Sequence, residues 1–114
     1  MRIYWTNNFK QGNLGMMARP RGNDWLDDDI KKLSFSNTDI VVSLLEKSEE
    51  QELGIQKEKE HCIKYGMEFI SYPIIDRSLP EDRNSFNKLA KLLNQKIKDG
   101  KKVVIHCRMG IGRT

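Results

Sequence analysis

Near its end the chain reads His106-Cys107-Arg108-Met109-Gly110-Ile111-Gly112-Arg113-Thr114. These residue types at this spacing describe a nucleophile set into an anion cradle. Cys107 opens a five-residue spacer that closes on Arg113. Glycines at 110 and 112 remove the steric bar to a tight curve that turns backbone N–H groups inward around one tetrahedral anion. Arg113 adds a planar fork of donors suited to two phosphate oxygens. A free thiol, with a pKa of about 8.5, is mostly protonated at neutral pH, and N–H dipoles with a guanidinium aimed at the sulfur favour the thiolate. Cys107 is therefore the candidate nucleophile. Thr114 offers a hydroxyl whose hydrogen bond would help the sulfur leave a phosphocysteine. His106 cannot aim its ring at the same point as its neighbour, and its expected role is to fix the loop rather than to move a proton.

A cysteine attacking phosphorus needs an acid for the departing alkoxide or phenoxide and then a base for water, and one carboxylic acid can serve both steps. The candidate is Asp76, in Pro73-Ile74-Ile75-Asp76-Arg77-Ser78-Leu79-Pro80, where strand character gives way to a proline-closed loop. The scheme requires neither a metal nor a cofactor. Arg77 and Arg108 neighbour the candidate site and could tune its preference among anionic substrates.

The elements that must position these groups follow from apolar periodicity. Val103 to Ile105 is a short apolar, β-branched run that ends directly in His106-Cys107, and Asp39 to Leu45 is another; both have the length of strands covered on two faces, which predicts a parallel sheet. Glu81 to Asp99 is the clearest helix, with Phe86, Leu89, Leu92, Leu93 and Ile97 in one stripe, Pro80 at its start and Gly100 just past its end. Earlier, Arg2 to Thr6 and Leu14 to Ala18 read as short strands with Ile3, Trp5, Leu14 and Met16 on the buried side. A helix from Asn23 or Asp24 carries Trp25, Leu26, Ile30 and Leu33 on one face, with Asp27, Asp28 and Asp29 early and Lys31 and Lys32 late, as the helix dipole favours. Ser48 and Gln51 have capping-box spacing for a short helix closed by Gly54, Gln56 to Tyr65 forms another ended by Gly66, and Met67 to Tyr72 resumes strand. The expected class is α/β, a central, mostly parallel sheet flanked by helices, with the site where strands finish.

At 114 residues the chain is one domain, 1–114, with 38% hydrophobic and 32% charged residues, ordinary values for a packed globule. No apolar run is long enough for a bilayer and no signal-peptide core follows Met1, so a cytoplasmic location without membrane association is expected. The net charge of +4 comes from scattered residues. No basic stripe interleaves with aromatics, so nucleic acid is not an expected partner. Cys62 reads as a small core residue rather than a redox partner for Cys107. His61 reads as solvated, Trp5 and Trp25 as core aromatics, and Arg19 and Arg21 as loop arginines that could reach a substrate's charge.

Residues 106–114 resemble the HCxxGxxRT signature of protein tyrosine and dual-specificity phosphatases, and Asp76 with Pro80 is similar to that family's mobile general-acid loop. The segment Met17 to Leu26 resembles small bacterial dual-specificity-like phosphatases and kinase-associated phosphatases. The resemblance implies hydrolysis of phosphotyrosine, with phosphoserine and phosphothreonine as further candidates, through a phosphocysteine. It puts the nucleophile on Cys107, the phosphate-binding arginine on Arg113, the hydroxyl on Thr114, the general acid on Asp76 and the cradle on Arg108, Met109, Gly110, Ile111 and Gly112. The partner would be a phosphorylated protein or another phosphomonoester. In the family a helix follows the arginine and packs under the cradle, so the domain is expected to be incomplete at its C-terminal end. Two other readings stay open: a phosphate-binding or interaction module without turnover, and another cysteine-loop enzyme such as an arsenate reductase or sulfur transferase.

Overall fold

The computed structural model describes residues 3–5, 13–73 and 83–107. For Tyr4, Asn13, residues 83–86 and Cys107 it describes the main chain alone. Asp76 and Arg108 to Thr114 lie outside the described residues.

Five strands, β1 (Ile3–Trp5), β2 (Asn13–Ala18), β3 (Ile40–Ser43), β4 (Glu68–Ser71) and β5 (Lys102–Cys107), form one sheet in the order β1-β2-β5-β3-β4. β2, β5, β3 and β4 are parallel to their neighbours, and β1 runs antiparallel to β2 at one edge. The helices are α1 (Leu26–Phe35), α2 (Lys47–Glu52), α3 (Glu58–Lys64) and α4 (Arg83–Lys98). This is the mostly parallel α/β architecture that the apolar runs imply.

Right-handed crossovers account for the layering. The steps from β2 to β3 and from β3 to β4 advance in one direction across the sheet, whereas the step from β4 to β5 goes back, so α4 belongs on the opposite face from α1 and α3. The two cores agree. Val41 and Val104 join Ile30, Leu33, Leu45, Ile55 and Cys62 on one side. Ile40, Val42 and Val103 join Leu93 and Ile97 of α4 on the other. Alternating side chains of β3 and β5 thus feed two cores, which is why their sequences are continuous apolar runs rather than alternating ones.

Helix ends follow local chemistry. Gly54, Gly66 and Gly100 have φ of 70°, 80° and 90°, and Asn37 closes α1 at 63°. These are left-handed conformations suited to helix termination. After α3, the Met67 N–H donates to the Cys62 carbonyl at 2.8 Å, and after α4 the Lys101 N–H donates to the Lys96 carbonyl at 3.0 Å.

Several local expectations are corrected. The capping box at α2 is built by Glu46 and Glu49, not by Ser48 and Gln51: Glu46 is the extended residue before the helix, and its N–H donates to Glu49 Oε1 at 3.1 Å. On β2 the deeply buried side chain is Met17 (1% exposed) rather than Met16. Gly15 shares that face, and a Cβ there would lie 2.8 Å from Ile3 Cγ2 and 2.9 Å from the Trp5 ring, so its missing side chain lets β1 pack over β2. Leu92 is 44% exposed, at the margin of the α4 stripe whose centre is Leu93 and Ile97. Trp25 is 57% exposed, because residues 23–25 form a 3₁₀ turn ahead of α1 and carry it off the helix's buried face.

Candidate active site

β5 carries the candidate nucleophile to the carboxyl edge of the sheet. It lies between β2 and β3, with Ala18 opposite Cys107, and Met17 and Ser43 opposite His106. The Leu44 N–H donates to the His106 carbonyl at 3.0 Å, extending the β3 ladder to the residue before Cys107. Pairing on both sides fixes the main chain at the motif's start. Position 107 therefore lies where an open parallel sheet receives its ligand.

Two neighbouring connections are locked together at the same edge. The Asn23 N–H donates to the Gly54 carbonyl at 2.8 Å, tying the segment after β2 to the turn after α2. Gly22 belongs to this contact, since a Cβ there would fall 1.8 Å from the Leu53 carbonyl oxygen. Arg21 holds the same segment to α1. Its N–H donates to Asp29 Oδ2 at 2.7 Å, and its guanidinium donates to Asp29 through Nη2 at 2.7 Å and through Nε at 3.1 and 3.2 Å. Burial works against the Asp29 charge, but the Arg21 hydrogen bonds outweigh it and hold the carboxyl below the usual carboxylate range. The Arg21 guanidinium also sits 4.5 Å from the centroid of the Trp25 ring, a cation–π geometry that occupies the exposed indole. Arg21 is thus engaged within the fold by Asp29 and Trp25. Arg19 Nε is buried without a hydrogen-bond partner among the described residues.

Beneath β5 lies a buried polar group that motif reasoning does not find. His106 Nε2 is 2.5 Å from Glu58 Oε2, and the two side chains are 0% and 2% exposed. His106 follows Val104 by two positions on β5 and so points toward the core shared with α1 and α3, where Glu58 opens α3. A sequence signal for Glu58 exists. It stands four residues before Cys62, so a buried Cys62 brings Glu58 to the same helix face. Cys62 is fully buried and its thiol is pushed upward by burial and by Glu58, in keeping with an inert core residue. Burial and Glu58 likewise raise the Glu50 carboxyl. His61 departs from its solvated reading: its Nδ1 lies 3.1 Å from Asp27 Oδ1, where Lys64 also donates at 3.1 Å and the Tyr65 hydroxyl donates to Oδ2 at 2.8 Å. Together these bonds tie α3 to α1.

Among the described residues no group of histidine, cysteine and carboxylate side chains is arranged to hold a metal ion. No described helix is long and apolar enough to cross a membrane.

Among solved structures the chain is similar to kinase associated phosphatase, solved with its catalytic-site cysteine replaced by serine, at 21% identity and a TM-score of 0.90 over 99% of this chain and 67% of that one. It is similar to Tk-PTP in its active form at 23% identity and a TM-score of 0.67, over 91% of this chain and 61% of that one. TpbA of P. aeruginosa in complex with phosphotyrosine matches at 15% identity and a TM-score of 0.51, over 83% of this chain and 48% of that one. The chain therefore spans from about half to two thirds of the length of these relatives. No curated protein matches. At such identities the likeness establishes the fold. Residues 14–114 match the family model described as "Polymorphic toxin system, DSP-PTPase phosphatase", and with nearly the whole chain inside that match, the protein belongs to this family of dual-specificity and tyrosine phosphatases.

Proposed function

We propose that the protein hydrolyses phosphomonoesters on proteins, phosphotyrosine foremost, through a phosphocysteine formed on Cys107. The observation that carries this reading is the strand–motif junction. β5, paired on both sides, delivers His106-Cys107 to the carboxyl edge of a parallel sheet, and the sequence continues from there as CxxGxxR. In this reading the N–H groups of Arg108 to Gly112 and the Arg113 guanidinium bind the phosphoryl oxygens. The Cys107 thiolate forms the S–P bond as the ester P–O bond breaks, and the Asp76 carboxylic acid gives its proton to the leaving oxygen. Water, deprotonated by the Asp76 carboxylate, then attacks phosphorus. The S–P bond breaks, inorganic phosphate leaves, and the Thr114 hydroxyl stabilises the returning thiolate. The thiolate nucleophile and the buried free Cys62 suit a reducing compartment such as the cytoplasm.

The family description names a setting, a polymorphic toxin system, and in that setting the chain would be toxic to a cell that expresses it. Hydrolysis of para-nitrophenyl phosphate and of phosphotyrosine, phosphoserine and phosphothreonine peptides tests the activity. Cys107→Ser should abolish turnover, and Asp76→Asn should lower kcat by about 10²–10⁴-fold while leaving phosphate binding intact. Turnover that survives Cys107→Ser would refute the reading. Growth arrest by the expressed wild type but not by Cys107→Ser tests the setting.

A further inference from the structure

The buried contact between Glu58 and His106 has no evident structural purpose. A buried ion pair is a poor source of stability, because desolvation offsets its Coulomb attraction. Here the cost is greater, since Glu58 Oε1 and His106 Nδ1 are both buried without a hydrogen-bond partner among the described residues. Yet His106 of the pair immediately precedes Cys107, on the strand whose end defines the site.

We infer that Glu58 is a positioning residue for the Cys107 chemistry: from α3 it fixes the tautomer and orientation of the His106 ring and, through it, the start of the catalytic loop. This inference rests on the reading of Cys107 as the nucleophile. A ring N–H donates and a carboxylate oxygen accepts, so across the 2.5 Å contact Nε2 is assigned as the donor and Glu58 Oε2 as the acceptor. Nε2 is thereby committed. Nδ1, the ring nitrogen nearer the main chain, is buried without a hydrogen-bond partner among the described residues. Held in place, the ring steadies the main chain from which the Cys107 loop departs, and a loop so held keeps its N–H dipoles on the sulfur, which favours the thiolate. Other titratable groups facing the pair are Glu50 from α2, with its carboxyl raised by burial and by Glu58, and Cys62 from α3. Met17 of β2 and Ser43 of β3, which flank His106 in the sheet, bring no charge.

The experiment compares wild type, Glu58→Gln, His106→Asn and the double variant in the full chain. For each, kcat and KM are measured on para-nitrophenyl phosphate, and the pH dependence of Cys107 alkylation by iodoacetamide is read by mass spectrometry. Glu58→Gln should lower kcat by about tenfold or more with little change in KM, as expected for loss of a carboxylate that orients a site histidine. It should also move the Cys107 alkylation profile to higher pH. The double variant should be no worse than His106→Asn alone, since Glu58 acts only through the ring. A folded Glu58→Gln protein with an unchanged alkylation profile overturns the inference, as does full additivity in the double variant. Absence of turnover in the wild type overturns the functional reading instead, and the alkylation profile still decides the pairing. Should Glu58→Gln fail to fold, nitrogen-15 spectra of the wild-type histidines decide. A proton on His106 Nε2 at pH 7 supports the inference, and an unprotonated Nε2 refutes it.

Discussion

Replacing Asp29 by asparagine isolates the bond that holds the segment after β2 at the edge of the site. Asp29 is almost wholly buried on α1, whereas the Arg21 side chain is about half exposed, at 2% and 48%. In the variant, water can serve the guanidinium, but the buried position loses a charged acceptor that received both the Arg21 N–H and the fork. Hydrogen bonds to a charged partner are each worth about 1.5–3 kcal/mol, and those sharing one carboxylate do not add, so the expected loss is about 2 kcal/mol at pH 7. For a chain of this size that corresponds to a fall in Tm of about 8 °C. The pH dependence gives a second handle. The folded-state carboxyl lies below its unfolded value, so its contribution is complete above an unfolded pKa of about 3.9 and fades as pH falls through the lower folded value. Urea unfolding of wild type and variant at pH 7 and at steps below pH 4 should show their difference shrinking with acid. A difference at pH 7 under about 0.5 kcal/mol, the usual size for an ordinary surface substitution, would refute the reasoning, as would a gap that stays constant down to full protonation.

Other expectations concern single positions. Gly54→Ala and Gly66→Ala both place alanine at positive φ, a cost of about 1–2 kcal/mol, but the Gly54 Cβ would also sit 2.4 Å from Asn23 Oδ1, whereas Gly66 has open space around it. Urea titration should therefore find Gly54→Ala the more destabilised, and equal losses would contradict the described Asn23–Gly54 contact. Leu33→Ala empties a fully buried site between α1 and the sheet and should cost about 2–5 kcal/mol by the same assay. Cys62 is buried with its thiol pushed upward, so iodoacetamide should leave it unmodified in native protein and label it only after denaturation. Rapid native labelling would show that α3 opens.

Much of the fold was legible because its central strands carry their own signal. Val41-Val42 and Val103-Val104 are apolar on both faces, which suits only a sheet covered on two sides. α4 was legible from Leu93 and Ile97 with Gly100 beyond, and its spacing holds. What failed was local and set by packing. Trp25 looks like core by residue type, yet the 3₁₀ turn and Arg21 keep it outside. Met17 rather than Met16 is buried because Gly15 lets β1 approach on that face, a relation between strands that no window on one strand contains. At the candidate site, residues 106–114 are read from type and spacing alone, and Arg108 to Thr114 lie outside the described residues. Glu58 belongs to a run of alternating Lys and Glu that reads as a solvated helix face; its spacing from Cys62 puts it on the buried side, but its partner, His106, lies on a strand 48 positions away.

Catalysis as proposed depends on a covalent bond between Cys107 and phosphorus. Acid-quenching the protein during turnover of para-nitrophenyl phosphate, followed by peptide mass spectrometry, looks for that bond directly. One added phosphoryl group is expected on the peptide carrying Cys107, more of it in Asp76→Asn if hydrolysis slows more than formation, and none in Cys107→Ser. A phosphoryl group on another residue, or turnover by folded protein with Cys107 never modified, would contradict it.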